Sequence, residues 1–267
     1  LAISLSSLKS TVEVSASRAP IVLVYGIDGI GKTSFAAEFP SPLYVPTAGE
    51  RAPSDIDMAT PGTIETIDDL WNVIGELMAG DHEFKTLIID SMDGLEPIMN
   101  GVTCARIGAA SIDDNSQGSP AAFGRGDVAS DVEWAQFMDA CDDLAEAGIS
   151  VVLVAHPEIK RFDSPVTDPY DRYQVKLRKR AAALLRERSD IVAFMNTRVS
   201  LKSKTVAPKK DVTHAEGGKE RQIHLTEAAG FMAKSRYPTP DTIVYKKGQG
   251  YAELAKYLPQ GQEAPTE

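Results

Sequence analysis

Gly26, Ile27, Asp28, Gly29, Ile30, Gly31, Lys32 and Thr33 follow the spacing G-x-x-x-x-G-K-[ST], and Ser34 continues the segment. Residues of these types at this spacing do phosphate chemistry. The glycines let the backbone turn tightly and aim its N–H groups at phosphate oxygens. A helix starting there adds its positive N-terminus. Lys32 can reach the β- and γ-phosphates, and the Thr33 hydroxyl can take a place on Mg²⁺. Gly26, Asp28, Gly29, Ile30, Gly31, Lys32, Thr33 and Ser34 are therefore the candidate nucleotide residues, with ATP and Mg²⁺ as the expected ligands. Asp28 is expected to point outward, because an acid inside the loop would repel phosphate. The second chemical position is Asp90, which ends the apolar run Thr86, Leu87, Ile88, Ile89. A carboxylate just past a buried strand can hold Mg²⁺ through water, so Thr33 and Asp90 are the metal candidates. Apolar runs often end in Asp; the phosphate loop gives this one its weight. His156 also ends an apolar run. His82, His214 and His224 show no metal-ligand spacing, nor do Cys104 and Cys141.

These residues need elements to hold them. Residues 21–25 (IVLVY) read as a buried strand, followed by the glycine turn and a helix over 34–39 that Pro40 ends. Further strands are expected over 43–45, 86–89, 149–155, 191–196, 198–202 and 221–225, with a polar basic hairpin loop near 204–219. Thr66–Asp69 and Ser130–Glu133 resemble capping boxes that open helices closed by Gly80 and Gly148. Residues 108–129 and 157–173 read as long loops, 174–188 as a basic helix and 251–258 as a terminal helix. Short apolar strands alternating with amphipathic helices predict an α/β fold: a mainly parallel central sheet flanked by helices, with antiparallel edge strands. The expected organisation is a flexible tail over 1–19, one core over 20–258 and a disordered tail over 259–267. In such sheets ligands sit beyond the carboxyl ends of the strands.

The chain has 267 residues and a net charge of −10, but the charge is uneven. Residues 1–155 hold 7 basic and 24 acidic residues, whereas 156–210 hold 14 basic and 6 acidic. An acidic body argues against a purely electrostatic DNA coat. A local basic belt is still compatible with nucleic acid, since screening acts over roughly 10 Å. Apolar runs are far shorter than the ~20 residues a bilayer helix needs, so no membrane partner is expected. Residues 1–20 lack the compact apolar stretch of a secretory leader, and the two cysteines suit a reducing compartment, so a cytoplasmic location is expected.

The segments GIDGIGKTSFAAEFP, TLIIDSMDGLE, EWAQFMDACDDLAEAGISVVLVAHPEIKRF, DPYDRYQVKL and FMAKSRYPTP resemble a family of phage-encoded RecA-like nucleotide-binding proteins, over about residues 20–245. The resemblance implies a RecA-like P-loop core, ATP hydrolysis, a ring or filament of identical subunits, and single-stranded DNA as partner in recombination or annealing. A single-strand binding protein is a further partner it suggests, and the host cytoplasm the location. A nucleotide-switched binding module without turnover, and a replication motor or loader, are the alternatives. By the same resemblance His156 looks like the γ-phosphate sensor, or else a capped strand-end histidine. The hydrolytic Glu of relatives falls at Ala48 here, leaving Glu50 either as its substitute or as a solvated loop acid. The loops 107–129 and 157–173 follow the order of DNA-binding loops. Lys160, Arg161, Arg172, Tyr173, Lys176 and Arg178, with Tyr170 nearby, interleave cations and rings as single strands require, or else form a solvated basic face. Lys234 and Arg236 resemble the Lys-x-Arg finger of DnaB- and KaiC-like members of the RecA superfamily, acting on a neighbour's γ-phosphate. The other reading is a basic edge strand.

Overall fold

The computed structural model describes residues 18–164, 168–207 and 210–259, with residues 199–217 described by their backbone alone. The tails expected at the two ends lie almost wholly outside the described residues. Strands β1 (Ile21–Gly26), β3 (Thr86–Asp90) and β4 (Ser150–Ala155) are buried at every residue, as strands covered on both faces must be. With β2 (Pro42–Pro46) and the start of β7 (Ile191–Ala207) they form a parallel array in the order β2-β3-β4-β1-β7. β8 (Lys210–His224) and β10 (Thr242–Tyr245) continue it antiparallel beyond β7, and the short β9 (Lys234–Ser235) pairs with the first residues of β7. The expected mainly parallel sheet with antiparallel edge strands is the observed one.

Alternation along the strands divides the core in two. Ile21, Leu23 and Tyr25 pack on the face covered by α2 (Ile67–Ala79), α3 (Met92–Ile107), α5 (Asp131–Glu146) and α6 (Lys179–Arg188). Val22 and Val24 pack on the other, beneath α1 (Lys32–Ala36) and α7 (Gly250–Ala255). The chain leaves β1, passes β4 and β3, and returns as β2. The carboxyl end of β1 is thus a topological switch point, where open α/β sheets hold ligands.

Gly26 sits where β1 meets β7, and a Cβ there would lie 2.1 Å from the Met195 carbonyl oxygen. The first glycine of the loop is therefore imposed by the neighbouring strand as well as by the turn. Gly26→Ala is expected to lower unfolding free energy by about 1–3 kcal/mol through overpacking. Denaturant titration checks this, and an unchanged midpoint would mean that β7 gives way freely.

The Thr66–Asp69 capping box is formed with both of its bonds, and Gly80 closes α2 at φ 80°. The second box is not formed. Ser130 is itself helical because the short α4 (Arg125–Ala129) runs straight into α5, and Glu133 turns instead to Thr103 and Arg106 of α3 at 2.8 and 2.6 Å. Three further expectations are corrected. Residues 108–129 contain turns and α4 rather than an open loop. The loop expected over 157–173 and the first turns of the helix expected over 174–188 are instead a hairpin of β5 (Pro157–Phe162) and β6 (Tyr170–Val175), so α6 starts only at Lys179. The polar loop expected over 204–219 is replaced by strand pairing that runs from Phe194↔His224 to Ala207↔Lys210.

Candidate nucleotide-binding site

β1 delivers the chain to the glycine turn, and α1 begins at Lys32 directly after Gly31, which adopts φ 106°. That left-handed backbone is open to glycine and strained for other residues. Lys32 is 7% exposed, and its Nζ donates to the Gly26 carbonyl at 2.8 Å. Burial pulls its pKa down, while the acids Asp28, Asp90 and Glu50 pull it back up. Asp28 is exposed but lines the cavity and acts on the Lys32 charge, so, contrary to expectation, it does not point away from the site. Thr33 Oγ1 donates to Asp90 Oδ2 at 2.7 Å, so the two metal candidates meet. Asp90 is 2% exposed and also accepts from the Tyr44 hydroxyl at 3.3 Å. Burial lifts its pKa, the Thr33 bond opposes the rise, and the nearby Glu50 charge adds to it. A buried carboxylate beside a hydroxyl is a hard oxygen pair that a Mg²⁺ ion would suit.

A turn decides where Ala48 and Glu50 lie. The Pro46↔Asp90 register sets the end of β2 beside the end of β3. There the Glu50 N–H donates to the Thr47 carbonyl at 3.1 Å, and Gly49 takes φ 91°. The turn leaves Ala48 exposed and carries Glu50 back over β3, where its Oε1 accepts from Ser91 Oγ at 3.0 Å. The turn thus brings Glu50, and not Ala48, to the cavity. His156, just past β4, has its Nδ1 3.0 Å from both Asp93 carboxylate oxygens and 3.8 Å from Glu50 Oε1. Asp28, Gly29, Gly31, Lys32, Thr33, Ser34, Glu50, Asp90 and His156 line one cavity of about 320 Å³.

Several residues of this site escaped the sequence reading. Tyr44 and Asp93 bond to Asp90 and His156 only through strand register and helix placement. Thr47 Oγ1 donates to the Ser91 carbonyl and accepts from its N–H, both at 2.9 Å, locking the two strand ends together. Arg221 and Tyr245 back the glycine turn, since a Cβ on Gly31 would lie 3.3 Å from the guanidinium and 3.1 Å from the ring. Only the position of Ser91 and Asp93 just after Asp90 offered a signal.

The bond to Asp93 raises the His156 pKa above the usual histidine range, against the effect of burial. A raised folded pKa contributes stability that is fully present below the unfolded value and is lost as pH rises through the folded one. Asp93→Asn is expected to bring the His156 pKa down and to flatten that part of the stability profile. An NMR titration of the ring with a matched set of unfolding curves checks both. An unshifted His156 would mean that Asp93 does not hold its proton.

The basic belt is largely answered from within the chain. Arg172 is 5% exposed, donates to Glu227 at 2.6 Å and lies 5.0 Å from the Phe162 ring centroid. Arg178 is held by Asp113 and Asp127. Arg180 pairs with Asp131 and Arg188 with Asp139, so α6 lies against the acidic α5. Tyr173 packs against Phe194, with ring centroids 5.1 Å apart. Arg172 is therefore buried and Tyr173 and Arg178 are half-buried, with much of their charge and ring area used inside the fold rather than presented on the surface as the nucleic-acid reading expected. Lys160, Arg161 and Lys176 are exposed. Lys234 Nζ and Arg236 Nη2 do converge on one oxygen, the Glu187 carbonyl at the end of α6, each at 2.9 Å. Arg236 also faces Asp190 at 3.3 Å. Through β9 they lie beside the first residues of β7, two strands across from β1 and roughly four strand residues, about 13 Å along the strand, short of the chain's own glycine turn.

Among the described residues no cluster of three or more His, Cys, Asp or Glu could hold a metal, and no helix is long and apolar enough to cross a membrane. No curated protein matches the chain. A family model described as AAA domain matches residues 18–237. With the phosphate loop on β1, the acidic end of β3 and this strand order, the match places the chain in the AAA domain family of P-loop nucleoside triphosphatases.

Proposed function

We propose that this protein binds and hydrolyses ATP with Mg²⁺ and works on single-stranded DNA, in the recombination or annealing role that its sequence resembles. The observation that carries the proposal is the convergence of Lys32, Thr33, Asp90, Glu50 and His156 on one cavity at the switch point of the sheet. Thr33 and Asp90 would hold Mg²⁺, which would supply positive charge to offset that of the phosphates. The turn's N–H groups and Lys32 hold the phosphates. Glu50 orients the attacking water and accepts its proton. His156, held by Asp93, reads the presence of the terminal phosphate.

His156 leads directly into β5, and its carbonyl accepts from the Lys176 N–H at 2.9 Å. A shift of the histidine toward phosphate would thus pull on both strands of the hairpin. Lys160, Arg161 and Lys176 are the exposed cations there, and they are where the strand would lie. Subunits of a cytoplasmic ring or filament would add a neighbour's Lys234 and Arg236 to the site only by releasing the Glu187 carbonyl. Phosphate release measured with and without oligothymidylate tests the reading. Mg²⁺-dependent release that rises several-fold with DNA is expected. Saturable ATP binding without release would replace it with a nucleotide-switched binding module.

A further inference from the structure

A second cavity, larger than the nucleotide one, has no lining residue in the phosphate loop. It has about 600 Å³, within the range of small-molecule sites, and sits between the β5–β6 hairpin, α6 and Met232. Lys160, Arg161, Arg172, Lys179 and Arg186 line it, and no Asp or Glu does. Lys160 pairs with Glu158 and Arg161 with Asp163, and elsewhere in this belt the fold likewise answers arginines with acids, as at Arg178, Arg180 and Arg188. Among the described residues Lys179 and Arg186 have no carboxylate within ion-pair distance. Arg186 Nη1 reaches only the Met232 sulfur, at 3.1 Å. Arg172 adds an independent sign. Its side chain is 5% exposed, one nitrogen is held by Glu227, and its buried Nε has no acceptor. Buried N–H groups nearly always find partners, so an orphan on a guanidinium lining a cavity marks a missing acceptor. Phe162, Val175 and Met232 supply an apolar wall.

We infer that this cavity is a second anion site, which takes a phosphate-bearing ligand. The Arg172 Nε and the Arg186 guanidinium hold phosphate oxygens in a planar fork, Lys179 adds a point charge at the rim, and the apolar wall receives the organic part. The inference goes beyond the nucleotide site, and it needs neither ATP turnover nor DNA to be true. Its position gives it a consequence: the cavity wall includes β5, the strand that follows His156, so occupancy would stiffen the hairpin that the nucleotide site leads into.

The probe is inorganic pyrophosphate, titrated calorimetrically into full-length protein whose phosphate loop is blocked in two ways, by Lys32→Ala and by saturating Mg²⁺-ADP. One further binding event is expected in both. Affinity should fall at least tenfold in the Lys179→Glu, Arg186→Glu double variant, whose surface charges are unpaired and whose fold is checked by circular dichroism. Arg172→Lys, which keeps the charge but loses the fork, should also weaken binding. A 5′-hydroxyl oligothymidylate serves as the second probe. Tighter pyrophosphate binding assigns the site to a free phosphorylated molecule, and tighter oligonucleotide binding assigns it to phosphodiesters of a strand. No binding to either blocked protein, or equal affinity in the charge-reversed variant, overturns the inference. Because the titration involves no turnover, that failure would leave the ATPase reading standing, and loss of turnover alone would leave this one standing.

Discussion

Lys32→Ala is expected to reduce ATP hydrolysis on the order of 10³-fold or more, the scale at which phosphoryl transfer depends on a positioned cation. Among the described residues Lys32 is the only cation lining the nucleotide cavity, apart from whatever charge His156 carries. Its Nζ rests on the Gly26 carbonyl at the mouth of the turn, a bond that phosphate oxygens would replace. No neighbour can take over, because Arg221 lies behind Gly31 and does not line the cavity. The same substitution should leave the fold intact, since burial already disfavours the lysine charge. Phosphate release and thermal unfolding, measured on one preparation, separate the two effects. Wild-type turnover in a folded variant would remove the central claim.

What the sequence made legible was local. The glycine turn, the run ending in Asp90 and the Thr66 cap each act within a few residues, so spacing alone expressed them. The parallel sheet was legible because β1, β3 and β4 are apolar without interruption. α3 was missed because Gly94, Pro97 and Gly101 interrupt it. Its buried stripe of Met92, Leu95 and Met99 outweighs the lost backbone bond at Pro97. Gly94 is required at its place, since a Cβ there would lie 2.1 Å from Thr47 Oγ1. The β5–β6 hairpin was missed because its residues are polar and partly exposed and carry no strand periodicity.

The charge pattern misled for a related reason. A run of arginines looks like a surface for an anionic partner when its own partners are distant in sequence. Here they are Asp113, Asp127, Asp131, Asp139 and Asp142, on the segments that α6 packs against. Each exposed pair contributes only about 0.2–1 kcal/mol. What the pairing removes is availability. Lys160, Arg161 and Lys176 are exposed but lie within ion-pair distance of Glu158, Asp163 and Asp93; among the described residues Lys179 and Arg186 have no such partner, and Arg172 keeps one nitrogen unanswered.

Glu50→Gln is the second large effect expected. The carboxylate is brought to the cavity by the Thr47–Glu50 turn and held there by Ser91, 3.0 Å away, beside His156. Gln keeps the size, and its amide oxygen can still accept from Ser91, but it cannot take a proton from water. ATP affinity should therefore change by no more than a few-fold, while turnover falls on the order of 10²–10⁴-fold, the usual contribution of a general base. Removing this negative charge also lowers the pKa of Asp90, which the Glu50 field helps to raise, so metal binding should hold or improve at acid pH. The control is Ala48→Glu in the Glu50→Gln background. Residue 48 is exposed and does not line the cavity, so a carboxylate there should not restore turnover. Parallel loss of ATP binding and turnover in Glu50→Gln would make the residue structural. Full turnover would return the hydrolytic role to another group, and rescue by Glu at 48 would show that the turn rearranges when nucleotide binds.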